Sequence, residues 1–137
     1  MGRLVMDRKK NNRPTILVVD DFEDMRSILR LWLERRGYRV VEAGDGEKAL
    51  QVARDEHPDV ILMDIGMPRR SGISATYKIR KDPELNGIPV VAITAYETTD
   101  LHEAAIKAGC VHCLSKPIDD YELGRLLSAL LQVAKSD

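Results

Sequence analysis

Long apolar runs are missing from this chain of 137 residues. The longest are four or five residues, far short of the roughly 20 that cross a bilayer. The first ten residues hold no hydrophobic stretch of the secretory kind, so a cytoplasmic location is expected. Cysteine is scarce: Cys110 and Cys113 are the only two, in a C-x-x-C around His112. No second such pair and no histidine pair completes a zinc site. Read as a strand, residues 110–114 hold the two Cα atoms about 10 Å apart, beyond the roughly 7 Å that a disulfide tolerates. They are expected as buried strand cysteines. Internal repeats and low-complexity stretches are absent as well. Nor is there a strong charge of one sign: the net charge is −1, unevenly spread. Arg3, Arg8, Lys9, Lys10 and Arg13 against Asp7 give residues 1–13 a net +4, which leaves −5 on residues 14–137. So short a basic terminus reads as a solvated, flexible arm, and neither nucleic acid nor a membrane is expected as a partner.

What is present is the composition of a soluble globular domain, 44% apolar and 31% charged. One domain is expected over residues 14–135, behind the arm at 1–13. Five strand-like runs (Thr15-Val19, Arg39-Val41, Val60-Met63, Pro89-Ile93 and Cys110-Leu114) alternate with five helical stretches. Phe22, Met25, Ile28, Leu29, Trp32 and Leu33 recur at helical spacing, and Gly37 supplies a stop. Asp45 is a natural N-cap for the second helix, which carries Ala49, Leu50 and Ala53 inward and ends at His57-Pro58. A third helix runs from about Gly72 to Lys81 before Asp82-Pro83, and a fourth from about Thr98 to Ala108 with Gly109 as its cap. The last opens on Asp119-Asp120-Tyr121-Glu122, an Asp-x-x-Glu capping box, and faces inward with Leu123, Leu126, Leu127, Leu130 and Ala134. Strict alternation with short loops predicts a parallel sheet covered on both faces.

Four polar signals follow directly on apolar runs: Asp20-Asp21, Asp64, Thr94 and Lys116-Pro117. In an open α/β sheet, ligands bind beyond the carboxyl ends of the strands, so these groups are expected to converge. Adjacent carboxylates repel one another unless a cation lies between them, and a hard divalent ion such as Mg²⁺ relieves that repulsion. A carboxylate beside a metal is a competent nucleophile towards phosphorus, which makes Asp64 a candidate acceptor. The Thr94 hydroxyl, next to the small Ala95, is placed to donate to a phosphoryl oxygen, and the Lys116 ammonium acts on phosphate as a point charge. Taken singly, each has an ordinary structural reading: helix capping for the Asp pair, a turn-starting Asp64, a strand-end Thr94, an exposed Lys116. Their conjunction at strand ends does not.

Together, Asp20-Asp21, Asp64-x-x-Met67-Pro68-x-x-x-Gly72, Thr94-Ala95 and Lys116-Pro117 resemble the receiver domain of two-component response regulators over about residues 14–135. The resemblance implies a flavodoxin-like (βα)5 three-layer sandwich with strand order 2-1-3-4-5. It implies Asp64 as phosphoacceptor, with Mg²⁺ held by Asp21, Asp64 and the Gly66 backbone carbonyl, and by Asp20 largely through water. It implies that Thr94 and Lys116 hold the transferred phosphoryl group. The implied partners are a sensor histidine kinase or histidine phosphotransfer protein as donor and a downstream protein target. The domain itself is then a monomer or a weak phosphorylation-dependent dimer, and no enzyme beyond promoting its own phosphorylation and dephosphorylation.

The chain departs from the family three residues before the lysine, where receivers usually carry Tyr or Phe and this one has Cys113. The usual Thr-aromatic switch is therefore expected to be altered; Tyr96, two residues after Thr94, is the nearest aromatic. Gly66 and Tyr96 flank the acceptor and are expected to govern water access to it. Two other readings stand against a phosphorylated switch. A dehalogenase-type phosphatase needs a second acid two residues after its nucleophile, where this chain has Gly66. A phosphorylation-independent scaffold of the same fold would be expected to lack one of the acids, the Thr or the Lys, and none is missing. The arm, with its own Met1, favours a stand-alone protein.

Overall fold

The computed structural model describes residues 13–95 and 98–135. Residues 1–12 of the basic arm, Tyr96 and the side chain of Ala134 lie outside the described residues. The elements alternate as the runs predict: β1 Thr15–Val19, α1 Glu23–Arg35, β2 Arg39–Ala43, α2 Gly46–Glu56, β3 Val60–Asp64, a short 3₁₀ turn Pro68–Arg70, α3 Ser71–Lys81, β4 Val90–Thr94, α4 Thr99–Ala108, β5 His112–Ser115 and α5 Asp120–Lys135. All pairings are parallel, and the strands lie in the order β2-β1-β3-β4-β5. The sheet reverses direction of growth between β1 and β3, which is the switch point where such sheets open a crevice.

The helix ends follow from local chemistry. The Asp45 carboxylate accepts the Lys48 amide at 2.8 Å, and the Thr98 hydroxyl accepts the Leu101 amide at 3.2 Å. The Asp119 carboxylate accepts the amides of both Tyr121 and Glu122. His57, the residue before Pro58, leaves α2 in the left-handed region at φ 46.

Alternate residues of the strands serve two apolar layers. Ile16, Val18, Val60, Leu62, Val91 and Ile93 pack with Leu29 and Leu33 of α1 and with Leu123 and Leu127 of α5. Leu17, Val19, Ile61, Met63 and Ala92 face the other way, against Ala49, Leu50 and Ala53 of α2, Ala75 and Ile79 of α3, and Ala105 and Ala108 of α4. A sheet buried on both faces reads as unbroken apolar runs, which is why the strands were legible without alternation.

One expectation fails. Cys110 is not in a strand; β5 begins at His112. Gly109, at φ 113, ends α4 by a left-handed turn in which its own amide bonds Ile106 O and the Cys110 amide bonds Ala105 O at 3.0 Å. Cys110 is thus the closing residue of a helix cap, with its thiol buried 4.0 Å from the Thr76 hydroxyl. Cys113 does lie in β5, half-buried, and both sulfurs are thiols.

Candidate functional site

Register brings the four sequence signals to one edge of the sheet. Val19 is level with Met63, so Asp20 and Asp64 stand side by side. Asp64 is level with Ile93 and Thr94 with Ser115, which places Thr94 and Lys116 one step beyond. The ladder continues past the strands: the Asp20 amide bonds Ala43 O at 3.2 Å, the Ile65 amide Ile93 O at 2.9 Å, and the Lys116 amide Thr94 O at 2.8 Å. The functional side chains are therefore fixed by main-chain bonds on both flanks.

Carboxylate oxygens of Asp20, Asp21 and Asp64 all lie within 4.8 Å of one another. Asp20 and Asp64 are buried and Asp21 is exposed, so the cluster opens to solvent through one acid. The Lys116 ammonium lies 3.0 Å from Asp20 Oδ2 and 3.5 Å from Asp64 Oδ2. Asp20 Oδ1 accepts the Phe22 amide at 2.9 Å, and Asp64 Oδ1 accepts the Gly66 amide at 2.8 Å. Thr94 is buried beside them, only 3% exposed.

The charges do not balance. Burial pushes the Asp64 carboxyl above the usual carboxylate range. The Gly66 amide and the Lys116 ammonium pull it back, while Asp20 and Asp21 push it further up. Burial works against the Lys116 charge too, but the hydrogen bond to Asp20 and the charge of Asp64 outweigh it and hold the ammonium above its ordinary range. One cation shared between two buried acids, and nearer to Asp20, leaves Asp64 undercompensated. Three hard oxygen donors with surplus negative charge and an open side fit a small divalent cation bound partly by water.

One residue of the site has no expectation in the sequence, and another has one without its reason. The Arg26 guanidinium donates to the backbone carbonyl of Asp20 at 2.8 Å and to Glu42 Oε1 at 3.1 Å, tying the Asp20-Asp21 turn to α1 and β2. Its partners are a backbone carbonyl six positions back and a carboxylate 16 positions on, and no sequence motif marks such a pairing. Gly72 carries no side chain because a Cβ there would come within 2.4 Å of the Asp64 carbonyl oxygen. The motif includes Gly72, but only the packing of α3 on the end of β3 gives the reason. The Lys116-Pro117 peptide is cis.

The sequence model of the "Response regulator receiver domain" matches residues 16–128. The chain is 38% identical over 104 residues to the polar-differentiation response regulator DivK of Brucella ovis, covering 76% of this chain and 85% of that one. In structure it resembles the chemotaxis protein CheY4 of Vibrio cholerae, with a TM-score of 0.80 at 26% identity over 86% of this chain and 98% of the other. It also resembles the receiver domain of the sensor histidine kinase PA1611 from Pseudomonas aeruginosa, a structure with magnesium coordinated in its active-site cleft. There the TM-score is 0.81 at 32% identity, over 88% of this chain and 98% of that one. The fold of five parallel strands in the order 2-1-3-4-5 is thus what the chain shares with these structures. The chain belongs to the family of response regulator receiver domains of two-component signalling.

Proposed function

We propose that this protein is a phosphorylation-controlled switch that accepts a phosphoryl group on Asp64 from a phosphohistidine donor. The observation that carries this reading is the undercompensated acidic triad beside Lys116. Asp20, Asp21 and Asp64, with the Gly66 carbonyl, would hold Mg²⁺, which supplies charge neutralisation for the phosphoryl oxygens. The rest is done by the chain. An Asp64 oxygen attacks phosphorus, the bond from phosphorus to the donor's imidazole nitrogen breaks, and that nitrogen leaves with the electron pair and is protonated. Lys116 shifts its hydrogen bonds from the carboxylates to the arriving phosphoryl oxygens, and the Thr94 hydroxyl donates to another. The protein positions and neutralises, and it turns over only its own phosphate.

The receiver unit runs over residues 14–135 behind the basic arm at 1–13, and works in the cytoplasm. The described residues contain no helix long and apolar enough to cross a membrane. The donor is a sensor histidine kinase or a histidine phosphotransfer protein. Phe22, Ile28 and Leu31, 59%, 62% and 56% exposed, give it an apolar footing beside the acids. Phosphate then biases one of two arrangements of the segment after β4, which a downstream protein reads.

Incubation with Mg²⁺ and acetyl phosphate should add one phosphate, read by intact mass, and Asp64→Asn should abolish it. Undiminished labelling of that variant would overturn the assignment of Asp64.

A further inference from the structure

We propose that a groove on α3 binds an acidic peptide segment of a partner protein. The groove, about 350 Å³, lies beside the acidic cleft and is lined by Arg69, Arg70, Ser74, Tyr77, Lys78 and Lys81 among others. Ser74, Tyr77, Lys78 and Lys81 recur at the i, i+3, i+4, i+7 spacing that puts them on one face of a helix. Arg69 and Arg70 precede the helix, both left-handed at φ 59 and φ 52, a conformation rare for non-glycine residues and retained where the surroundings demand it.

None of these four cations forms an ion pair with a described residue, and they are gathered on one groove, whereas Arg13, Arg35, Lys48 and Lys107, which form none either, do not line it. Most other arginines have partners. Arg26, Arg30, Arg39 and Arg54 bind carboxylates. Arg80 donates to the carbonyls of Gly109, Asn86 and Ile88, and Arg36 and Arg125 lie over Trp32 and Tyr121. The groove gathers unneutralised positive charge around a tyrosine that is 44% exposed. Arg beside an aromatic is enriched at protein-binding surfaces, and a cationic lining without an acid is complementary to a negatively charged partner.

Charge also selects the kind of anion. Residues 14–137 sum to −5, so with these four cations set aside the remainder of that span carries −9. A broad polyanion, duplex or bilayer, would meet that surrounding negative charge, and duplex binding gains its strength from neutralising many phosphates at once. A short acidic peptide fits within the positive strip. The 11 residues of α3 span about 16 Å, the length of about five extended residues. Arg69 also lines the groove that contains Asp21, so a bound peptide ends next to the acidic cleft.

The test uses the full chain and a fluorescein-labelled peptide of eight residues, Asp and Glu around a central Leu, followed by anisotropy at about 50 mM salt. Saturable binding is expected, weakened roughly tenfold or more by Lys78→Glu with Lys81→Glu and by Arg70→Glu. It should be unchanged when Arg3, Arg8, Lys9 and Lys10 are replaced by Ser. The side chains of Arg70, Lys78 and Lys81 are exposed, and thermal melts together with acetyl phosphate labelling of Asp64 establish that the variants are folded. No binding by the wild type, equal binding by the folded groove variants, or loss on changing the arm would overturn the proposal. So would tighter groove-dependent binding of a short DNA duplex or of phosphatidylserine vesicles than of the peptide. Failure here leaves Asp64 labelling untouched, and loss of labelling leaves peptide binding untouched.

Discussion

The Lys116 ammonium lies closer to Asp20 than to Asp64, 3.0 Å against 3.5 Å, and is shared by both. With Asp21 added, one positive charge faces three carboxylates. Replacing Lys116 by Met removes the resident cation from the cleft. Calorimetric titration of Lys116→Met should show Mg²⁺ bound roughly tenfold more tightly, because the ion meets more negative charge. The metal-free fold should lose about 2 kcal/mol in urea unfolding, since two buried acids lose their partner. Weaker Mg²⁺ binding would contradict this account of the cleft.

Asp64→Asn should stabilise the metal-free protein by about 1 kcal/mol at neutral pH. The sign follows from the raised carboxyl. A carboxyl that holds its proton more tightly in the fold contributes stability below about pH 4, and that contribution is lost as the pH rises through the raised folded value. At neutral pH the ionised Asp64 is therefore a burden that Asn removes. Urea melts in EDTA should show a gain that shrinks on acidification, and Mg²⁺ should stabilise the wild type but not the variant.

Gly72→Ala should cost about 1–3 kcal/mol and slow labelling of Asp64, since the new Cβ must displace the Asp64 carbonyl 2.4 Å away or move α3. Gly87 is the control, with nothing within 4 Å of a Cβ placed there. Gly87→Ala should be neutral or gain a few tenths of a kcal/mol. Equal effects of the two substitutions in denaturant melts would refute the close-approach explanation.

Burial pushes the Cys110 thiol up to about 11. Below about pH 8.5 it is neutral folded and unfolded, and the full stability is present. As the pH rises from the unfolded value through the folded one, up to about 3 kcal/mol is lost because the unfolded chain releases the proton more easily. Cys110→Ala should lack that loss when urea unfolding is compared at about pH 8 and about pH 10.5. In the folded wild type, iodoacetamide should modify Cys113 before Cys110.

Cys113 occupies the place where receivers usually carry an aromatic, and it lies in β5 level with Ala92. Phosphorylation is expected to draw Thr94 inward without the second, aromatic half of the relay. Amide spectra of residues 110–121 should change less on phosphorylation than in Cys113→Tyr. Equal changes in the two proteins would remove Cys113 from the account.

Much of the fold was legible because its causes are local. Asp45, Thr98 and Asp119 cap helices by bonding amides two or three residues away. Unbroken apolar runs mark strands covered on both faces. The misreading of Cys110 has the same local root: Cys110-Val-His-Cys-Leu has the composition of a strand, yet the Gly109 turn draws the Cys110 amide back to Ala105. A helix cap outcompeted strand pairing for that one amide, and residue types do not reveal which bond is made.

By itself the sequence determined that Asp20, Asp21, Asp64, Thr94 and Lys116 stand at strand ends, because apolar run length and helix caps depend on neighbours along the chain. Only the tertiary structure decided that Lys116 divides its charge between Asp20 and Asp64 and that Arg26 holds the Asp20 carbonyl. It also decided that Gly72 must be bare and that four unneutralised cations share one groove. The contacts of Lys116 and Arg26 cross 96 and 6 positions of chain, and through-space charge and steric contact are set by packing, not by order in the sequence.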